Sequence, residues 1–132
     1  MIPGGRGPAK LRQNQGILEF TREIDSARKP LAAICHGPQV LAAADLLKGR
    51  TATSFFTVSP EVKHAGARYV NRPVVIDVNL ITSRMLKDIP ACIDALFTTL
   101  VTDELILHRH PAWNKSLTLF RSCMNPSPAS RV

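Results

Sequence analysis

The amino-acid sequence predicts an α/β fold built on a mostly parallel β-sheet. The first observation is the apolar run from Leu31 to Ile34, which is too short for a helix and is typical of a buried parallel strand. The second is a change of period after Gly37, where apolar residues recur at helical spacing until Gly49 supplies a stop. The third is an amphipathic pattern over residues 15–27, which predicts a crossover helix packed on the sheet.

Three further helices and four further strands follow from patterns of the same kind. The helices are expected at residues 8–14, 60–65 and 88–100. The strands are expected at residues 51–53, 69–70, 74–76 and 80–82. A chain of 132 residues of this composition is long enough to form one domain with a buried core.

Two helices carry an apolar stripe that predicts which side faces the sheet. On the helix over residues 15–27 the residues expected to be buried are Ile17, Phe20, Ile24 and Ala27. On the helix over residues 88–100 they are Ile89, Cys92, Ile93, Leu96, Phe97 and Leu100. Because Cys92 belongs to the second stripe, we interpret it as a structural cysteine.

The turn between the last two strands contains Asp77, Val78 and Asn79. A tight hairpin at this point favours glycine, because its central positions need a positive φ angle. A β-branched residue such as Val78 is strained at positive φ. We therefore expect a turn that is either rebuilt or weakened.

Cys35 lies at the junction between the strand and the helix that follows it. A nucleophile on such a sharp turn needs small residues two places before and after it, and Ala33 and Gly37 meet that need. The helix that follows directs N–H groups and its positive dipole end toward the sulfur, which favours the thiolate. His36 is the adjacent candidate for a base or a positive charge. A buried structural cysteine is the alternative, and the local pattern leaves both interpretations open.

Several stretches, in the same order along the chain, resemble the DJ-1/PfpI family. The octapeptide at residues 32–39, AAICHGPQ, resembles the family's nucleophile motif. The heptapeptide at residues 2–8, IPGGRGP, resembles its glycine-rich loop, and residues 10–14, KLRQN, resemble the helix after that loop. Residues 46–50 and 79–84 resemble two later family segments. The resemblance covers about residues 1–100, and several ordered motifs are more specific than a single short match.

The resemblance implies a flavodoxin-like three-layer α/β/α sandwich with a mostly parallel sheet. The family's first strands precede its glycine-rich loop, so the fold is expected to be incomplete at the N-terminus, as in a fragment or a misplaced start. Residues 1–100 are interpreted as a partial family domain. Residues 101–132 are interpreted as a partly disordered extension outside the family.

The resemblance also implies roles for particular residues. It assigns Cys35 as the nucleophile and His36 as its base or charge partner. It assigns the N–H groups of Gly5 and His36 to an oxyanion hole, with Gly4 shaping the loop. No motif implies a metal or an organic cofactor. The expected partners are a small-molecule or peptide substrate and, if the chain folds, further copies in a homo-oligomer.

Two family carboxylates are missing from this sequence. One belongs to a strand that has no counterpart in this chain, and the position of the other is occupied by Ala9. Two hypotheses follow. The first is a cysteine hydrolase of the PfpI type, acting on peptides or, like glyoxalases and deglycases, on reactive aldehydes. The second is a catalytically impaired truncated relative, or a thiol that senses oxidants through a sulfenic acid.

Composition and charge argue against a nucleic-acid-binding, a membrane-spanning or a secreted protein. The net charge is +7, but acidic residues are interspersed among the basic ones and aromatic residues make up 5%, so no specific nucleic-acid site is expected. A weak, salt-sensitive contact with polyanions stays open. No apolar run is long enough to span a membrane, and residues 1–5 do not resemble a secretory signal. Three widely separated cysteines indicate a reducing compartment, and we expect a cytoplasmic protein.

The C-terminal segment adds two features without an evident role. Cys123 is a lone thiol. His108 and His110 have a poor spacing for a metal pair on a helix, and no pair of cysteines lies near them.

Overall fold

A computed structural model describes the backbone of residues 1–109 and the side chains of residues 1–102. The five helices of this part are α1 (Gly7–Leu11), α2 (Gln15–Ser26), α3 (Pro38–Ala43), α4 (Ser59–His64) and α5 (Ile89–Arg109). Its five strands are β1 (Leu31–Ile34), β2 (Thr51–Ala52), β3 (Arg68–Tyr69), β4 (Val74–Asp77) and β5 (Leu80–Ser83). Two 3-10 turns lie at Phe56–Val58 and Leu86–Asp88. Met1–Thr99 forms a compact unit by itself, and the chain divides after Thr99.

The main sheet has three strands in the order β1-β5-β4. Strands β1 and β5 are parallel, with Leu31 opposite Leu80, whereas β4 and β5 form an antiparallel hairpin. On the other side of β1, Ile2 forms a parallel bridge with Ala33. A separate pair, β2 and β3, is also parallel. The parallel contacts place the carboxyl end of β1, where Cys35 follows, at one edge of the sheet.

Side chains on β1 alternate between two buried layers, because successive residues of a strand point to opposite faces. Leu31 and Ala33 belong to the cluster that also contains Leu41 of α3 and the partly buried Ile24 of α2. Ala32 belongs to the opposite cluster, which includes three α5 residues, namely Cys92, Ala95 and Leu96. Helices therefore cover both faces of the sheet, which gives the three layers that the family resemblance implies.

Most predicted elements occur, with shifted ends. Helix α1 ends at Leu11 rather than residue 14, and α3 ends at Ala43, earlier than the apolar pattern implies. Strand β3 lies one residue earlier than expected. Helix α5 continues to Arg109, beyond the predicted end at residue 100. Cys123 and His110 lie outside the described residues, and so does the segment near the C-terminus that is predicted to be disordered.

The predicted apolar stripes are partly wrong. On α2, Phe20 is 61% exposed and Ala27 is exposed, while Leu18 and Thr21 are the buried residues. The core face of α2 is thus rotated toward Leu18, which packs against Val40 and Ala44. On α5, Cys92 is fully buried as expected, but Phe97 and Leu100 are 62% and 41% exposed. The inward face of α5 is formed by Cys92, Ala95 and Leu96 instead.

A network of charged and polar groups ties the β4–β5 hairpin to its neighbours. Arg50 Nη2 donates to the Asp77 carbonyl oxygen at 2.7 Å and to Asn79 Oδ1 at 3.1 Å. Asn79 Nδ2 donates to Asp25 Oδ1 at 3.0 Å, and Arg50 Nη1 lies 3.4 Å from the same oxygen. The Thr51 N–H donates to the Asp77 carboxylate. These bonds fix the hairpin between α2 and β2, so the turn itself can tolerate strain.

The hairpin retains its two-residue loop, and Val78 adopts the unfavourable conformation. Asp77 pairs with Leu80, and Val78 between them has φ +56°. The sequence indicated strain at this residue, and the structure confirms it. Because Val78 is 69% exposed, its side chain contributes little burial to offset that strain.

Replacing Val78 with Gly is expected to stabilise the protein. Relief of left-handed strain at a β-branched residue is worth about 1–3 kcal/mol. The greater entropy of an unfolded glycine removes up to about 1 kcal/mol of that gain. We expect the free energy of unfolding, measured in urea, to rise by about 1 kcal/mol.

Val70→Gly is the matched control, because Val70 has a negative φ and gains no relief from strain. It is expected to lose stability. A loss of stability in Val78→Gly equal to that of the control would contradict the strain assigned to the hairpin.

Candidate active site

Cys35 lies on a strained turn between β1 and α3. Its φ angle is +61°, a left-handed value that side chains other than glycine, asparagine and aspartate rarely adopt. The Cys35 N–H donates to the carbonyl oxygen of Ser83 at 2.9 Å, and its carbonyl oxygen accepts from the Phe55 N–H at 3.0 Å. The turn is therefore fixed on both sides, by β5 and by the segment after β2, and the thiol is only half-buried.

Two glycines allow this turn to pack closely against its surroundings. A Cβ atom on Gly37 would lie 2.9 Å from the carbonyl oxygens of both Ile2 and Ile34. A Cβ atom on Gly4 would lie 2.7 Å from the Cβ of Cys35. Real Cβ contacts are longer than these distances, so both positions need a residue without a side chain. The glycine-rich loop and the cysteine turn thus contact each other directly.

The imidazole of His36 lies against the sulfur of Cys35. His36 Nδ1 is 3.1 Å from Cys35 Sγ, so the two neighbours in sequence also meet in space. The Phe55 ring lies 5.2 Å from the His36 ring, with an angle of 31° between the planes. On the other side of the imidazole, Nε2 is 3.5 Å from Thr57 Oγ1. Thr57 is not part of any sequence motif near Cys35, because it lies about twenty residues further along the chain and meets the imidazole only in the folded structure.

The two N–H groups expected to bind an oxyanion have no partner in the described part of the chain. Neither the Gly5 nor the His36 N–H donates a hydrogen bond within residues 1–102. Gly5 has φ +74°, a conformation that glycine adopts without strain. Both donors are therefore available to a bound oxygen atom.

The expected contribution of helix α3 is smaller than the sequence suggests. The helix has six residues and begins with Pro38, which has no N–H. The N–H groups of Gly37 and Gln39 bond to the carbonyl oxygens of Ile34 and His36, at 2.8 and 3.0 Å. The prediction that several N–H groups of this helix point at the sulfur is therefore wrong. A short helix also carries a small dipole.

Within residues 1–102 no carboxylate forms a hydrogen bond or ion pair with Cys35 or His36. Ala9 is exposed on α1 and supplies no polar group. Glu61 on α4 pairs with Arg12 and accepts a hydrogen bond from Gln39 Nε2 at 3.1 Å. Its carboxylate thus links α1, α3 and α4 and is occupied by other partners.

Cys92 differs from Cys35 in its exposure and in its surroundings. It is fully buried under the sheet, and burial raises the pKa of its thiol, with a smaller opposing effect from a hydrogen bond with Ser83. A buried thiol with a raised pKa is a poor nucleophile at neutral pH. Cys92 is therefore a suitable internal reference when the reactivity of Cys35 is measured.

Gly37→Ala is expected to destabilise the protein by about 3 kcal/mol, because the new methyl group meets backbone atoms that cannot move without disturbing β1. The free energy of unfolding in urea measures this loss. Gly7→Ala is the control, since a Cβ atom there meets nothing within 4 Å. Equal stability of the two variants would contradict the close packing of the turn.

Comparisons with known proteins agree with this geometry. Residues 1–99 match the DJ-1/PfpI family. Deglycase PfpI of Pyrococcus furiosus is 41% identical over 91 residues, which are 69% of this chain and 55% of that protein. Protein/nucleic acid deglycase 2 of Escherichia coli is 42% identical over 92 residues, which are 69% of this chain and 54% of that protein. The chain thus spans about half the length of the curated relatives it matches.

Solved structures share the fold. A two-domain protein of Anabaena variabilis with DJ-1/ThiJ/PfpI-like and ferritin-like domains is 43% identical, with a TM-score of 0.74, over 75% of this chain and 28% of that one. DJ-1beta of Drosophila melanogaster is 32% identical, with a TM-score of 0.61, over 64% of this chain and 46% of that one. These similarities confirm the predicted flavodoxin-like α/β fold. By its sequence and its fold, the chain belongs to the DJ-1/PfpI family.

Proposed function

We propose that this chain carries the nucleophilic half-site of a thiol-dependent deglycase, which removes carbonyl-derived adducts through Cys35. The observation that carries the proposal is the contact of 3.1 Å between Cys35 Sγ and His36 Nδ1 on a turn with positive φ. The names of the relatives in Pyrococcus furiosus and Escherichia coli support deglycase chemistry for the family domain. Hydrolysis of peptides is the alternative reaction at the same thiol.

The proposed reaction begins with a proton transfer. Nδ1 of His36 takes the thiol proton, and the sulfur forms a bond with the carbonyl carbon of the substrate. The electron pair of the C=O bond moves onto oxygen, where the N–H groups of Gly5 and His36 stabilise it. With a carbonyl adduct of an amine, the carbinolamine first separates into the free amine and the carbonyl compound. The sulfur adds to that carbonyl carbon, and His36 returns the proton to the oxyanion, which gives a hemithioacetal on Cys35. With a peptide, the oxyanion re-forms the C=O bond and the C–N bond breaks. The amine leaves with the electron pair of that bond and the proton from His36, and water then hydrolyses the thioester.

A second candidate is oxidation of Cys35 without turnover. It is favoured by the lack of a carboxylate contact with His36 in the described part of the chain. A carboxylate normally orients the imidazole and stabilises its charged form. A thiolate without that support still reacts with peroxide to form a sulfenic acid.

Two further features of the whole protein are proposals of the same kind. We propose that residues 1–100 form the family domain and residues 101–132 an extension outside it, in accordance with the match over residues 1–99. We also propose a cytoplasmic homo-oligomer. No helix among the described residues is long and apolar enough to cross a membrane. Exposed apolar residues such as Phe20, Phe56 and Leu86 offer surfaces for a second copy.

Alkylation with iodoacetamide followed by peptide mapping tests the identity of the nucleophile. At pH 7 we expect Cys35 to react at least about tenfold faster than Cys92, because only the half-buried thiol is accessible beside a base. Cys35→Ala should remove this fast reaction, and Cys92→Ala should leave it unchanged. A faster reaction at Cys92 would count against the proposed site.

Removal of a methylglyoxal adduct from N-acetylarginine tests the proposed reaction. Replacing the nucleophile by Cys35→Ala is expected to lower the rate roughly 10³-fold, as loss of a nucleophile does in other enzymes. Cys92→Ala is the control. Adduct removal that survives in Cys35→Ala would overturn the proposal.

The same samples separate the second candidate from the first. Peroxide treatment and capture of the sulfenic acid with dimedone measure oxidation of Cys35. Rapid oxidation at Cys35, without removal of the adduct or cleavage of a fluorogenic peptide by the unmodified chain, would favour sensing over catalysis.

A further inference from the structure

We propose that Thr57 is a positioning residue for His36, and that its hydroxyl oxygen takes the place of a carboxylate as the third member of the site. The inference rests on the proposed role of Cys35 as nucleophile. Sites that pair a nucleophile with a base generally hold the base with a third group. In this chain the third group is a neutral hydroxyl.

The geometry around the imidazole supports this arrangement. Nδ1 is 3.1 Å from Cys35 Sγ, and Nε2 is 3.5 Å from Thr57 Oγ1, so the two ring nitrogens have separate partners. Before the transfer, the thiol donates a hydrogen bond to Nδ1, and the neutral imidazole carries its own proton on Nε2. When that transfer is complete, both nitrogens carry protons. Because Nε2 carries a proton in both states, Thr57 Oγ1 is placed to accept a hydrogen bond from it and to hold the ring throughout the transfer.

The segment that carries Thr57 is fixed to the turn. The Phe55 N–H donates to the carbonyl oxygen of Cys35 at 3.0 Å, and the Phe55 ring packs against the imidazole. Val58, which directly follows Thr57, is 3% exposed and donates its N–H to the Phe55 carbonyl oxygen at 2.9 Å. Thr57 is therefore held between a backbone anchor and a core residue, although its own side chain is exposed.

No charged group in residues 1–102 competes for Nε2, which has Thr57 as its hydrogen-bond partner there. Glu61 is bound by Arg12 and Gln39, Lys63 lies over the Tyr69 ring, and Arg84 pairs with Asp88. The other titratable groups on elements next to the turn are Arg6 on the loop, Lys10 on α1 and His64 on α4. None of them forms a hydrogen bond or an ion pair with His36.

A hydroxyl differs from a carboxylate in two ways that matter at this site. It carries no charge, so it stabilises the imidazolium only through one hydrogen bond. It can also donate, so it fixes the tautomer of His36 less strictly than an oxygen that only accepts. Thr57→Asp should therefore favour the thiolate–imidazolium pair more than the native residue does.

The experiment measures the rate of Cys35 alkylation by iodoacetamide between pH 4 and 9 on the full chain. Thr57→Val has nearly the same shape without a hydroxyl, and we expect its rate below neutral pH to fall about fivefold, the effect of losing one hydrogen bond. The half-maximal rate should move to higher pH. Thr57→Ser should restore the native profile, and Thr57→Asp should move it to lower pH.

Ser59→Ala is the matched control, because the Ser59 hydroxyl donates to the carbonyl oxygen of Phe56 at 2.8 Å and does not contact His36. Its pH profile should equal that of the unmodified chain. Far-ultraviolet circular dichroism checks the fold of each variant, and Thr57→Ala replaces Thr57→Val if the latter does not fold.

Selective alkylation of Cys35 with the same pH profile in Thr57→Val and in the unmodified chain would overturn the role of Thr57 and leave the nucleophile intact. Equal loss in Thr57→Val and Thr57→Ser would also overturn it, since packing rather than the hydroxyl would be responsible. An upward shift, or none, in Thr57→Asp would contradict it as well. Unselective alkylation of the unmodified chain would overturn the proposed nucleophile and this inference together.

Discussion

The close packing of backbone against backbone at residues 34–37 is the constraint on which the rest of this site depends. Gly37 lies where any Cβ atom would meet the carbonyl oxygens of Ile2 and Ile34. That approach keeps Ile2 in its bridge with Ala33 and brings the glycine-rich loop over Cys35. The turn at Cys35 adopts a left-handed conformation, and the thiol is only half-buried. The strain is balanced by hydrogen bonds from the Cys35 backbone to Ser83 and Phe55.

The candidate site is assembled from groups that are polar but largely uncharged. Cys35, His36 and Thr57 form a line of contacts, and the N–H groups of Gly5 and His36 have no hydrogen-bond partner within residues 1–102. Charged residues nearby are paired with each other, as Glu61 is with Arg12. The proposed reaction therefore depends on the contact between Cys35 and His36 and on hydrogen bonds, without a neighbouring carboxylate among the described residues. Reactivity at such a site is expected to respond more strongly to one added charge than reactivity at a site that already contains a carboxylate.

Among the described residues, four that are not glycine have a positive φ, namely Arg28, Cys35, Asp45 and Val78. The surroundings of Val78 and Cys35 show how the strain at these two turns is tolerated. At Val78 the polar network of Asp25, Arg50 and Asn79 holds both ends of the turn. At Cys35 the turn is held by backbone hydrogen bonds and by glycines that admit close contact. The strained conformation of Val78 does not position its side chain against the core, because that side chain is exposed. The second strained turn lies at the residue whose sulfur contacts the imidazole of His36 at 3.1 Å.

The sequence by itself determined the α/β class, the order of the elements and the turn that carries Cys35, because strand length, helical period and glycine positions are local signals. It also indicated the strain at Val78. The tertiary structure decided which faces of α2 and α5 are buried. The apolar pattern at helical spacing predicted that Phe20 and Phe97 are buried, whereas Leu18 and Ala95 are the residues that pack in the core. The tertiary structure also decided the partners of His36. Phe55 and Thr57 are some twenty residues away in sequence, and only the return of the chain past β1 brings them to the imidazole.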